Sequence, residues 1–122
     1  MVIKEPTPIP HKPRYVIVFR SRLRPGVEEE YGTRAQAIYE LAVKMPGMLS
    51  AADFVAEDGE RVSIIEFDSA DNLRAWREHP DHMRAQEEGR ARFYASYRIQ
   101  ICMVERTAEF DGATSTWQRS PW

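Results

Sequence analysis

Asn72 and Trp76 stand four residues apart, followed by His79 and His82. A spacing of four puts Asn72 and Trp76 on one face of a helix. A side-chain amide there can donate to a developing oxyanion, and an indole offers a flat wall and one N–H donor. The competing reading makes Trp76 a core residue and Asn72 a surface or capping residue, since asparagine favours helix ends. His79 and His82, three apart, can share a helix face, and histidine is the usual acid–base group near neutral pH. His79 precedes Pro80, which points equally to a turn-shaping role. Glu78 and Asp81 lie nearby, but no spacing of a third ligand matches a zinc site, so no metal is expected.

Other residues carry weaker signals. Arg98 shares a strand face with Gln100 and Cys102, and Arg20 shares one with Val16 and Val18. Either arginine can hold a phenolate or carboxylate with its planar fork, or simply pair with surface acids. Tyr94 and Tyr97 offer phenol donors or interface aromatics. Cys102, the single cysteine, reads as a small hydrophobe in mid-strand, with no histidine arranged to activate it.

The elements that must position these groups follow from the apolar periodicity. A strand is expected over 14–23, closed by Pro25–Gly26. A helix follows from Val27 to Lys44, where Tyr31, Ala35, Ile38, Ala42 and Met45 form one apolar stripe. Glu28, Glu29 and Glu30 suit its first turn, and Pro46–Gly47 ends it. Strands over 48–56 and 61–68 flank Asp58–Gly59, a hairpin signal. Ser69 can cap a short helix carrying Leu73 and Trp76. A further helix is expected over 81–94 and a last strand over 96–106.

The order βαββαβ is the ferredoxin-like, split βαβ pattern: an α+β fold with a four-stranded antiparallel sheet and both helices on one face. The first strand is apolar on both sides, with Tyr15, Ile17 and Phe19 opposing Val16 and Val18. The last strand reads the same way, with Tyr97, Ile99, Ile101 and Met103 opposing Cys102 and Val104. One helical layer covers one face only. A second copy packed through the sheet face therefore gives a homodimer, with a ligand cavity covering part of the surface.

Length and charge bound the remaining classes. The 122 residues suit one domain, here 14–106, between a proline-rich arm (1–13) and a polar tail (107–122) that holds Trp117 and Trp122. Four prolines keep the arm extended. The net charge of −2 lacks the basic excess of a nucleic-acid binder. No apolar run reaches the length of a membrane span, the N-terminus lacks the apolar centre of a signal peptide, and one cysteine forms no internal disulfide. The expected location is the cytoplasm, with no membrane or nucleic-acid partner.

The stretch from Phe67 to Arg106, with Asn72-x-x-x-Trp76 followed by His79–Pro80 and a helix, resembles the second half of an antibiotic biosynthesis monooxygenase domain. Arg24–Pro25–Gly26 and Met45–Pro46–Gly47 fit the first half. The resemblance covers about 14–106. It implies a dimeric α+β barrel, a pocket between sheet and helices, and no cofactor. Characterised members of that family oxidise polycyclic aromatic phenols with molecular oxygen; others degrade haem. The resemblance implies a small aromatic or quinol-type substrate and O2 as partners. Asn72, Trp76 and His82 become the expected catalytic residues, the last at a position where a pocket tyrosine can occur. Phe19, His79, Gln86, Tyr97 and Arg98 are the expected substrate pocket. Gln86 and Phe19 stand where haem-degrading members carry a histidine and an asparagine, so haem oxygenase activity is disfavoured. A non-catalytic binding or stress-response module of the same fold is the alternative.

Overall fold

The computed structural model describes residues 14–112 and the backbone of 116–117. The proline arm and the expected docking of Trp117 and Trp122 lie outside the described residues. Within them the chain runs β1 (Tyr15–Leu23), α1 (Glu28–Ala42), β2 (Met48–Val55), β3 (Arg61–Phe67), α2 (Ala70–Arg77), α3 (Pro80–Glu88), a π-helical turn (Gly89–Phe93) and β4 (Tyr94–Met103). Strands β5 (Phe110–Asp111) and β6 (Thr116–Trp117) pair as a small hairpin in the tail, which the sequence presents only as a polar stretch. The main sheet is antiparallel, in the order β2-β3-β1-β4. This is the ferredoxin-like α+β fold expected from the sequence.

Local chemistry fixes the boundaries. The Ser69 hydroxyl accepts from the Asn72 backbone N–H at 3.1 Å and starts α2. His79 starts α3, its Nδ1 accepting from the Asp81 N–H at 3.1 Å, with Pro80 in the first turn, where a missing N–H costs nothing. Gly47, at φ +78°, makes the sharp entry into β2; a Cβ there would collide with the Asp68 and Asn72 side chains. The single helix expected over 81–94 is instead α3 followed by the wider π turn. Arg24 braces that turn. Its guanidinium donates to the carbonyls of Arg90 (2.7 Å), Ala91 (2.9 Å) and Tyr94 (3.1 Å), and its backbone N–H donates to Phe93 (2.7 Å). A widened turn leaves carbonyls short of donors, and one arginine supplies several.

Strand register assigns the faces. Ile17 pairs with Ile65 and Ile101, and Phe19 with Ser63 and Ile99, so these residues look toward the helices. Phe67, Leu73, Trp76, Ile17 and Ala42 form the buried core. The opposite face carries Val16, Val18, Val62, Ile64 and Phe54, with Glu66 opposite Val16 and Arg20 opposite Val62. On β4, however, it carries Ser96, Arg98, Gln100 and Cys102. The sequence reading of β4 as apolar on both sides is therefore corrected: its outer face is polar apart from Cys102, because Val104 lies beyond the strand's end. The helix-facing residues of β4 remain open, from 38% exposed at Tyr97 to 60% at Met103. Among the described residues no helix is long and apolar enough to cross a membrane.

Candidate functional site

The helical layer stands off the sheet and leaves a cavity of about 620 Å³ between them. That volume is typical of a small-molecule site. The apolar stripe of α1 closes onto the sheet only at its C-terminal end, where Ala42 joins the core and Ile38 packs against it; toward its N-terminus Tyr31 and Ala35 line the cavity opposite Phe19, Ile65 and Ile99. The sequence shows this stripe, but periodicity alone does not distinguish core from cavity wall.

One end of the cavity is aromatic. Phe19 meets Tyr94 edge-on and Tyr97 at a tilt, each at 5.5 Å between ring centres. Tyr31 packs edge-on against Tyr94 at 5.6 Å and Phe93 at 5.8 Å. The Tyr94 hydroxyl donates to that of Tyr31 at 3.2 Å. Burial raises the Tyr94 pKa well above its usual 10.0, and the Tyr31 hydrogen bond adds to the shift, so the phenol stays protonated. Gly89 lets the ring approach; any Cβ there would overlap Tyr94. The π turn thus brings Gly89, Phe93 and Tyr94 together in the wall.

Trp76 and His82 form another part of the wall. Trp76 is 2% exposed, and the His82 ring lies 4.5 Å from it at a tilt of 35°. His82 Nδ1 is enclosed and meets no described partner at hydrogen-bonding distance. Burial lowers the His82 pKa below its ordinary 6.5, and the charge of His79 adds a smaller push downward. The Arg77 backbone acts in the opposite sense and offsets part of the shift. The net effect favours neutral imidazole.

The expected site residues therefore separate. Trp76, His82, Phe19, Gln86 and Tyr97 come together around the cavity. Asn72 is not in the wall. Its amide donates to Asp68 at 2.8 Å while its backbone N–H meets Ser69, so both serve the start of α2. His79 packs 6.0 Å from Trp76 but caps α3 rather than facing the cavity. Arg98 pairs opposite Arg20 on the sheet face turned away from the helices. The alternation of strand side chains decides this, because Tyr97 and Arg98 are neighbours and only one of them can face inward. Sequence reasoning missed Tyr31, which reads as core, and Asp53, whose carboxylate accepts from the Ser63 hydroxyl at 2.6 Å at the cavity's edge. Among the described residues no three of His, Cys, Asp and Glu cluster as metal ligands would.

Residues 14–88 match the sequence profile of the family described as antibiotic biosynthesis monooxygenase. The chain is 31% identical over 106 residues to the uncharacterised protein YqjZ of Bacillus subtilis (strain 168), covering 87% of this chain and 92% of that one. Among solved structures it is similar to SnoaB, a cofactor-independent oxygenase from Streptomyces nogalater (TM-score 0.67, 15% identity, 78% of this chain and 96% of that one). It is also similar to Rv0793 from Mycobacterium tuberculosis (TM-score 0.71, 15% identity, 79% and 99%). At such identities these two structures speak for the fold alone, whereas the profile spans most of the domain. The chain belongs to the antibiotic biosynthesis monooxygenase family.

Proposed function

We propose that this protein is a cofactor-independent monooxygenase that oxidises a small aromatic or quinol-type substrate with molecular oxygen. The observation that carries the reading is the cavity itself: a space of about 620 Å³ walled by aromatic rings, with a neutral imidazole beside Trp76. A methylene activated by flanking rings and a carbonyl loses a proton to give an electron-rich enolate. His82 accepts that proton, and Trp76 supplies a flat wall for the ring system. The enolate then reduces oxygen. Two C–H bonds and the O–O bond break, a C=O bond forms, and the second oxygen leaves as water with the two hydrogens. Carbon gives up four electrons and O2 takes four, so no further reductant is required. Asn72 acts as a positioning residue, holding the first turn of α2 and hence Trp76.

Oxygen consumption by purified protein with an anthrone-type substrate tests the reading. Turnover that falls when His82 is replaced by alanine supports it. Binding of the substrate without oxygen uptake points to the second reading, a non-catalytic binding module. One observation favours that alternative: Asn72 lies outside the cavity wall, its amide donating to Asp68, so it presents no donor to an oxyanion in the cavity.

The proposal includes a homodimer through the outer sheet face. There Val16, Val18, Val62, Ile64 and Phe54 form an apolar surface that no described element covers. It is bordered by the Arg20–Glu60 and Arg22–Asp58 pairs. An apolar centre with a charged rim is the anatomy of an interface.

A further inference from the structure

Arg61 is the one arginine among the described residues that is partly buried; the others are exposed. It opens β3, opposite Ser21 and Val55, and so lies on the helix-facing side. Its guanidinium sits 5.4 Å from the centre of the Tyr31 ring. No described carboxylate lies within ion-pair distance of it. The neighbouring acids are committed elsewhere: Glu60 to Arg20, Asp58 to Arg22, and one oxygen of Asp53 to Ser63. A half-buried cation without a counter-ion is costly, and the ring face of Tyr31 offsets only part of that cost.

The position of this charge is informative. Arg61 lines a groove of about 400 Å³ between α1 and the β2–β3 hairpin. Tyr31, Tyr39, Asp53 and Ser63 border both this groove and the aromatic cavity, so the two spaces adjoin. Tyr94, inside the cavity, also feels the Arg61 charge. A ligand whose rings fill the cavity can therefore extend a substituent toward the guanidinium. The planar fork of donors fits a carboxylate, which can accept two parallel hydrogen bonds.

We infer that Arg61 is an anion-recognition residue, and that the ligand of this site is an aromatic ring compound bearing a carboxylate on the side that faces the β2–β3 hairpin. This rests on the reading of the cavity as a ligand site and adds the charge class of the substrate. Asp53 is the one acid that borders the groove, and no ion pair ties it to the Arg61 fork.

Isothermal titration of the full chain with two probes of equal ring size tests the assignment: anthracenecarboxylate and anthracenemethanol. The acid is expected to bind about tenfold more tightly than the alcohol, the scale of a charge-assisted pair over a neutral contact. Arg61→Gln removes that preference while leaving the alcohol's affinity within about twofold; Arg61→Lys, which keeps the charge and loses the fork, retains part of it. Circular dichroism and thermal melting of each variant separate loss of fold from loss of recognition. Equal binding of both probes, or a preference that survives in Arg61→Gln, overturns the assignment and leaves the cavity reading standing. Binding of neither probe overturns both.

Discussion

At the scale of residues, the behaviour of the site with pH is set by His82. Its pKa lies below 6.5 because the ring is buried, and only the neutral ring accepts a proton. Oxygen uptake is therefore expected to be flat above 6.5 and to fall as pH drops through the depressed value. His82→Ala should lower turnover by about two orders of magnitude, the usual contribution of a placed base. Arg34, Arg77, Glu78 and Glu88 also border the cavity, and Arg34 is paired with Glu88. The same residue links to stability. Below 6.5 the unfolded imidazole takes up a proton while the folded one resists, so the unfolded state carries more protons. Stability is thus full above 6.5 and declines as pH falls through the folded value. Thermal melting across that range should show this slope in the wild type and a shallower one in His82→Gln. Trp76 is a different case. With a 2% exposed side chain in the core cluster, Trp76→Ala should cost about 3–5 kcal/mol by denaturant titration, so a milder change such as Trp76→Phe is the better probe of its role as a wall.

At the scale of elements, the π turn shapes the aromatic wall, placing Gly89 and Phe93 in it beside Tyr94. Arg24→Lys keeps the charge but cannot reach three carbonyls at once. We expect a loss of about 1–3 kcal/mol in chemical denaturation, the range for a few hydrogen bonds made by a charged group. Gly89→Ala should displace the Tyr94 ring, weaken the binding of aromatic probes and destabilise by a similar amount. Neither feature is visible in the sequence, where Arg24–Pro25–Gly26 reads as an ordinary turn and 81–94 as an unbroken helix. The strands and the start of α2 are legible, because β-branched runs, the Asp58–Gly59 turn and Ser69 act locally. The cavity is legible only in part. Trp76, His82 and Tyr97 reach it from periodic positions. The expectation for Arg98 conflicts with that for Tyr97 under strand alternation, and register resolves the conflict in favour of Tyr97. Helix-face spacing groups Asn72 with Trp76, but a polar residue in a first turn answers to its nearest partners, here Asp68 and Ser69.

At the scale of the whole molecule, the question is what covers the outer face of the sheet. Ile64 is 40% exposed and Phe54 54%, and both sit on the face that carries Val16, Val18 and Val62. These side chains are contiguous across three paired strands, so they present one surface rather than scattered contacts. A two-fold partner would bury this surface against itself, with the Arg20–Glu60 and Arg22–Asp58 pairs left at the rim in water. The apolar outer face stops at Arg98 and Gln100 on β4, which places the centre of such an interface over β1 and β3. A charge at that centre would be buried without a partner in both copies at once. Ile64→Asp is therefore expected to weaken self-association by about a hundredfold or more, and sedimentation at micromolar concentration should show monomer where the wild type shows dimer. The inner cavity lies on the other side of the sheet, so the variant should still bind an aromatic probe. A wild type that sediments as a monomer would remove the dimer from the proposal and leave the outer surface bare to solvent. A variant that loses probe binding together with association would instead mean that the sheet depends on its partner to hold the cavity open.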